Sequence, residues 1–361
     1  MTDLVPTREH TELASSVRNL LDKRSDSQAV RQAIEQPVRF DTNLWATLCE
    51  QIGVAALAIP EEHGGAGFTL AETYVVLEEL GRALTPSPLL MSVISSAALL
   101  GSLSLSKGHQ GELLPRIAEG AVATLAWSGV TSPADAPVGV MWKDGVLSGS
   151  VSPVLHGDTA EILLIVAEHD DGVGLFSVDP SAPGLTRTRV AGLDPTLAFA
   201  EIHLDGVEAE PIVLDAASAL ASTHRVGTLA TTALAVGCAQ RGLDMTVAYS
   251  KEREQFGRPI GSFQALKHRM ADMLVQVQMS RAGAWAAVQA HVTDAPNADR
   301  LAAAAASYCA ESAMAVAAET IQLHGGIAIT WEHDTHLVFK RAQALHQLFG
   351  LPHQTRATLI S

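Results

Sequence analysis

The sequence predicts a mainly helical α+β chain in three parts: an N-terminal helical domain over residues 1–120, a middle antiparallel β-barrel over 121–214, and a C-terminal four-helix bundle over 215–361. Three observations predict it. Apolar residues recur at helical spacing up to about residue 120. Short β-type runs separated by turn residues then fill about ninety positions. From Ala217 onward, three long alanine-rich segments keep apolar residues at i, i+3 and i+4, the pattern of closely packed antiparallel helices.

In the first part, Leu13, Val17, Leu20 and Leu21 share one stripe of a helix over 11–22. A second helix over roughly 42–52 ends before Gly53, and the turn-rich stretch PEEHGGAGF (60–68) follows. Thr69 reads as an N-cap with Glu72 three residues on, a capping box opening a helix through Arg82. TPSP (85–88) separates it from an apolar helix over 89–103. In the middle part the clearest strands are VLSGSV, EILLIVA, GLFSV and AEIHL, and Asp-Gly pairs at 144–145, 171–172 and 205–206 supply hairpin turn chemistry. The last part holds helices over about 217–250, 262–292 and 298–323, with DAPN (294–297) between the second and third.

A net charge of −15 leaves no basic stripe for nucleic acid, while a phosphate-bearing cofactor needs only a few local donors. Hydrophobic residues make up 47% and charged residues 17%, the balance of a densely buried protein that also buries surface against copies or partners. Cys49, Cys238 and Cys309 lie far apart without a CxxC pair and read as small buried hydrophobes in a reducing compartment. The N-terminal stretch lacks a signal-type apolar core, and no uncharged run of membrane-spanning length appears, so the expected location is cytoplasmic, with no membrane contact.

Two stretches carry chemistry. In REQFGRPIGSFQ (253–264) one helix ends, a glycine turn follows and a new helix begins, placing Arg253 and Phe256 in the turn and Gln264 in the first helical turn. A guanidinium beside a helix N-terminus can grip a pyrophosphate, and an adjacent aromatic can stack on a purine. The ordinary alternative is an ion-paired arginine and a core phenylalanine. In QLHGG (322–326), Gly325 and Gly326 form a helix C-cap or let a ligand approach the backbone, with the Gln322 amide beside it.

Taken together, these stretches resemble the acyl-CoA dehydrogenases, and IPEEHGGAG (59–67) with the later EELGR is similar to that family's N-terminal domain. The resemblance spans the whole chain. It implies FAD at a subunit interface, with the residues matching Arg253, Phe256, Gln264, Gln322, Gly325 and Gly326 touching the ADP portion of a flavin bound mainly by the neighbouring subunit. It also implies abstraction of an acyl α-proton by a glutamate, with hydride passing from the β-carbon to the flavin.

The rest of the family's site departs from the pattern. Where members carry Thr-Glu-Pro with Gly-Ser-Asp, and later Trp-Ile-Thr or Trp-Ile-Ser, this chain reads TLAWSGVTSPAD (124–135) and SGSVSPVLHGD (148–158). The two customary places of the base hold Phe349 and Val226. No Asp or Glu lies between Gln343 and Ser361, nor from Ala216 to Leu243, so no catalytic residue is assigned. Glu332 and Asp334 fit helix-capping roles, and His324, His333, His336 and His346 lack metal-ligand spacing, so no metal site is expected.

The resemblance therefore implies one subunit of an α2β2 heterotetramer of the actinobacterial type, which acts on CoA thioesters of steroid side chains. A homologous partner supplies the base and binds the acyl-CoA. Two alternatives remain: a self-sufficient homotetramer with a non-standard base, and a flavin-free scaffold of the same fold.

Overall fold

The computed structural model describes residues 5–103, 110–130 and 138–359. Helices α1 (Arg8–Arg24), α2 (Ser27–Glu35), α3 (Thr42–Thr47), α4 (Leu70–Ala83), α5 (Leu89–Ser102) and α6 (Gln110–Ala118) come first. Strands β1 (Ala123–Ala126), β2 (Val140–Lys143), β3 (Val146–Leu155), β4 (Ile162–His169), β5 (Gly172–Val178), β6 (Leu185–Val190), β7 (Phe199–Glu208) and β8 (Glu210–Val213) follow. The chain closes with α7 (Ala217–Glu252), α8 (Gln264–Val292), α9 (Ala298–His324), α10 (Thr335–Leu345) and α11 (Pro352–Ala357).

Local chemistry sets several boundaries. The capping box forms as expected: the Thr69 hydroxyl accepts from the Ala71 amide and the Glu72 carboxylate accepts from the Thr69 amide at 2.9 Å. α3 runs on as a wider π-turn over Leu48–Ile52 and stops at Gly53, whose φ of 76° suits only a left-handed C-cap. α4 lies along α7 with the two backbones nearly touching. A Cβ on Gly81 would sit 2.4 Å from the Leu234 carbonyl oxygen, and one on Gly237 would sit 2.0 Å from that of Glu78. The N-terminal helices and the C-terminal bundle consequently share one hydrophobic core.

The middle sheet runs β6-β7-β3-β2-β4-β5-β8, with β1 also paired to β4. Five of its pairings are antiparallel, as the sequence predicts. Two are parallel, β1 on β4 and β2 on β4, so the sheet is mixed where an antiparallel barrel was expected. The β1–β4 pairing follows from the connection, because β1 enters from α6 and reaches β4 only after the β2–β3 hairpin. In β4 alternate side chains divide between two cores: Leu163 and Ile165 face the sheet's own interior, while Ile162, Leu164 and Val166 face the helices. That double burial seats the sheet on the helical body.

Two turn predictions are corrected. Asp144–Gly145 turns the β2–β3 hairpin with both φ positive, but β4 and β5 are joined by Asp170–Asp171, one residue earlier than expected, with Gly172 already paired to His169 as the first residue of β5. Asp205–Gly206, however, lies inside β7, where Leu147 faces Val207 and Gly149 faces Leu204. The pair absorbs an extra residue as a β-bulge, and left-handed Gly206 donates its amide to the Ser148 hydroxyl.

All three cysteines are free, and burial pushes each thiol up to about 12. They act as apolar packing groups. Among the described residues one helical stretch, Ala298–Ile329, is long and apolar enough by composition to cross a membrane; half of its most apolar window is buried, and α9 packs against α7 and α8.

Candidate functional site

After α7 the chain reverses through a two-stranded ribbon, Glu254–Gln255 against Arg258–Pro259, before α8 begins at Gln264. The reversal places Phe256 (φ 55°) and Gly257 (φ 73°) in the left-handed region, which glycine adopts freely and phenylalanine does not. The Phe256 ring is held out from the body, 93% exposed, with Phe263 edge-on at 6.2 Å between centroids. Arg253 is exposed too, and among the described residues no carboxylate pairs with it. Neither residue has the ordinary fate of its type, an ion pair for arginine and a core for phenylalanine.

α9 ends at His324, and Gly325 (φ 66°) opens a tight turn to Ile329. A Cβ at Gly325 or Gly326 would meet nothing within 4 Å. At Gly325 the backbone conformation accounts for glycine. Gly326 is neither crowded nor left-handed, so nothing inside the chain requires glycine there, whereas a ligand lying on the backbone would.

The two turns face each other across an open cavity of about 450 Å³, lined by Arg253 and Ile260 on one side and by Gln322, Gly325, Gly326 and Ile327 on the other. Four of the six expected cofactor residues thus converge. Phe256 projects beyond the lining, and Gln264 is exposed in the first turn of α8. The structure adds a wall that the sequence reading missed, Tyr249 of α7 stacked on His324 of α9 at 4.6 Å. His324 Nδ1 lies 2.7 Å from the Thr320 carbonyl, and burial lowers its pKa, keeping the ring neutral. Its place directly before the glycine pair was the one signal available.

The two positions where the resemblance would place the base are closed by hydrocarbon. Phe349 is 2% exposed, its amide donates to the Val130 carbonyl at 2.7 Å, and its ring lies against Gly227, where a Cβ would sit 2.3 Å from it. His224 stands edge-on to Phe349 at 5.6 Å and to Trp127 at 6.2 Å, which joins α7, the end of β1 and the Phe349 turn in one aromatic stack. Val226 is buried one position before Gly227. Of the middle-domain stretches singled out in sequence, residues 131–135 lie outside the described residues. In 148–158 the one carboxylate, Asp158, pairs with Arg189 at 2.8 Å.

Neither acid that follows the glycine turn lines the cavity. Glu332 is exposed. Asp334 precedes α10 without capping it through its side chain, which corrects the capping expectation. Its carboxylate instead accepts from the Ser27 hydroxyl at 2.7 Å and from Arg31 at 2.8 Å, with Arg241 at 3.6 Å. Among the described residues no cluster of His, Cys, Asp and Glu could hold a metal ion. The arrangement suits the phosphate-bearing half of a nucleotide ligand, and no carboxylate is among the residues that line the cavity.

Comparison with known proteins agrees over the full length. The family model for the acyl-CoA dehydrogenase N-terminal domain matches residues 7–121, and that for the C-terminal domain matches residues 218–353. Acyl-CoA dehydrogenase IpdE2 of Mycolicibacterium smegmatis is 40% identical over 348 residues, 96% of each chain. The protein of the same name from Mycobacterium tuberculosis is 39% identical over 362 residues, covering 99% of this chain and 98% of its own. Among solved structures, a Tcur3481–Tcur3483 steroid ACAD variant superposes with a TM-score of 0.86 at 31% identity, covering 97% of this chain and 96% of that one. The ChsE4–ChsE5 complex of Mycobacterium tuberculosis gives 0.87 at 29%, covering 99% and 97%.

Proposed function

The chain belongs to the acyl-CoA dehydrogenase family, and from that premise we propose that it lends the nucleotide-gripping half of an interfacial FAD site to a homologous subunit, which supplies the catalytic base. One observation carries the reading. Arg253 lines an open cavity with no carboxylate paired to it among the described residues, and Phe256 stands exposed beyond it, while Phe349 fills the position matching the base and packs against Gly227. A ligand half-site whose lining holds no carboxylate suits divided labour better than self-sufficiency.

Within that division each residue has a physical task. Arg253 offers a charged fork to a pyrophosphate, Gln322 an amide, and Gly326 a bare backbone against which a phosphate chain can lie. Bound FAD supplies hydride acceptance from the acyl β-carbon. The α-proton goes to a carboxylate on the homologous subunit, because a benzyl and an isopropyl side chain cannot receive it. Two such heterodimers make an α2β2 assembly, and the substrate class is a CoA thioester with a steroid-derived acyl group. The relatives support both points: one solved neighbour is named a complex of two chains, and another a steroid ACAD.

The test is purification of the chain alone and co-expressed in turn with each homologous acyl-CoA dehydrogenase subunit of the same organism. The chain alone should be colourless and inactive, and the complex yellow and active. Arg253→Ala in the complex should cut flavin retention by about tenfold, the worth of a charge-assisted hydrogen bond. A yellow homotetramer that bleaches with acyl-CoA would overturn the proposal. Failure of any paralogue to bring colour would instead favour the scaffold reading.

A further inference from the structure

The nucleotide cavity holds too little charge for a diphosphate. Among the described residues that line it, Arg253 is the one side chain with a permanent charge. A diphosphate carries more negative charge than a single guanidinium balances, so neutral donors must supply the rest. The other lining side chains with a hydrogen to donate are Tyr249, Gln255, Gln322 and His324. Two of these are already committed: the Gln255 amide donates back to the Glu254 carbonyl at 2.7 Å, and His324 Nδ1 lies 2.7 Å from the Thr320 carbonyl. Gln322 and Tyr249 keep their polar ends without a partner among the described residues. Tyr249 is the more firmly held of the two. It stands one helical turn before Arg253, and the Arg253 amide closes that turn on the Tyr249 carbonyl at 2.9 Å. Its half-buried ring lies flat on His324, with 4.6 Å between centroids and 24° between planes. His324 is locked in turn, 4% exposed, tied to its own helix at Thr320 and backed by His333 at 4.9 Å. Burial holds both imidazoles below their ordinary pKa, so the stack is neutral and brings no charge of its own. A phenol held in this way has little rotamer freedom left to lose on binding.

We propose that Tyr249 donates its hydroxyl to the diphosphate of FAD alongside Arg253, with His324 beneath the ring as its positioning residue. The assignment rests on the half-site reading and adds a donor that lies outside both sequence motifs. The division of tasks is chemical. Arg253 supplies the charge, Tyr249 a neutral donor fixed in direction, and His324 the flat face that fixes it.

The test uses the chain co-expressed with the homologous subunit that brings it flavin, with the complex stripped of flavin and refilled. Tyr249→Phe keeps the ring and removes only the hydroxyl. It should cut FAD retention by about tenfold, the worth of a hydrogen bond to a charged acceptor. ADP carries the diphosphate without the isoalloxazine, so about tenfold more of it should be needed to block FAD refilling in Tyr249→Phe than in the wild type. His324→Leu fills the space without a flat face and should also lose flavin, and adding it to Tyr249→Phe should cost little more, because both act through one contact. His324→Phe, which restores a flat face, should recover retention. Wild-type retention in Tyr249→Phe together with loss in Tyr249→Leu would make the residue a ring platform and overturn the donor. Lost FAD with unmoved ADP competition overturns it as well, because the contact then lies outside the diphosphate. Arg253→Ala separates the two proposals: flavin lost there but kept in Tyr249→Phe overturns the donor and leaves the divided site standing, whereas flavin kept in both removes the site and the donor with it.

Discussion

The Arg341 guanidinium donates to the Asp194 carboxylate at 2.7 Å, and both side chains are sealed from solvent. The pair joins α10 to the loop that leads into β7, so the helical bundle and the sheet are tied by one buried ion pair. Thr196 completes it: its amide and hydroxyl donate to Asp194 at 2.9 and 2.6 Å, and its hydroxyl accepts from Arg341 at 2.9 Å.

Breaking that pair from one side should be costly. Arg341→Met leaves a buried carboxylate without its cation and should destabilise the fold by about 3–5 kcal/mol, seen as a large fall in denaturation midpoint. The double variant Arg341→Met with Asp194→Leu should recover most of that loss, since a buried pair replaced by packed hydrocarbon is close to neutral. If the double variant is as unstable as the single, the ion pair itself is stabilising and the desolvation argument fails.

The wedge at the base position makes a second prediction. Gly227→Ala drives a methyl into the Phe349 ring and should destabilise by about 1–3 kcal/mol, the usual range for overpacking. Adding Phe349→Leu should restore part of the loss, because the shorter side chain frees the space a Cβ needs. Thermal melts of the two single variants and the double close the cycle. Phe349→Glu in the isolated chain should give no acyl-CoA oxidation, since a carboxylate there faces Gly227 and His224 with no flavin half-site of its own.

Acid should weaken the fold through His156. Burial lowers its pKa to about 4, against an ordinary value of 6.5, and its ring lies edge-on to Phe40 at 5.8 Å. The neutral ring is the folded form, so protons favour the unfolded chain. Its contribution is complete above pH 6.5, declines as pH falls toward 4 and is lost below that. His156→Gln should flatten the fall in melting temperature across that window, and an unchanged slope would assign the acid sensitivity elsewhere.

The sequence was legible where local chemistry decides the outcome. The Thr69–Glu72 box, the Gly53 stop and the three long helices all follow from residues within a few positions of each other. It was least legible where distant segments decide. The parallel seat of β1 on β4 depends on a partner strand that follows the β2–β3 hairpin, and no residue in ATLA records that. Asp205–Gly206 has hairpin composition but sits mid-strand because β3 and β7 differ by one residue in register. α2 and α6 went unread, the first for its short polar stretch and the second for Pro115 inside it. At the site, REQFG and QLHGG marked the cavity, whereas the Tyr249–His324 wall needed the contact between α7 and α9 to be known.

Asp334 offers the last test, because it couples the N-terminal helices to the nucleotide-facing turn. Its carboxylate is held from α2 by Ser27 and Arg31 and faces Arg241 of α7, while the chain just before it carries Gly325 through Trp331. Asp334→Asn keeps the shape and can still accept from Ser27, but it removes the charge that balances two guanidinium groups. A charged hydrogen bond of this kind contributes about 1.5–3 kcal/mol, so the melting temperature should fall. Flavin retention in the co-expressed complex should fall with it, since Arg31 loses the anchor that holds it over Trp331 and the turn can shift. Arg31→Lys should repeat the flavin effect with a smaller loss of stability, because an ammonium can pair with Asp334 but cannot also span the indole face. If Asp334→Asn lowers stability and leaves flavin content untouched, the clamp serves packing alone and the turn is held by α9.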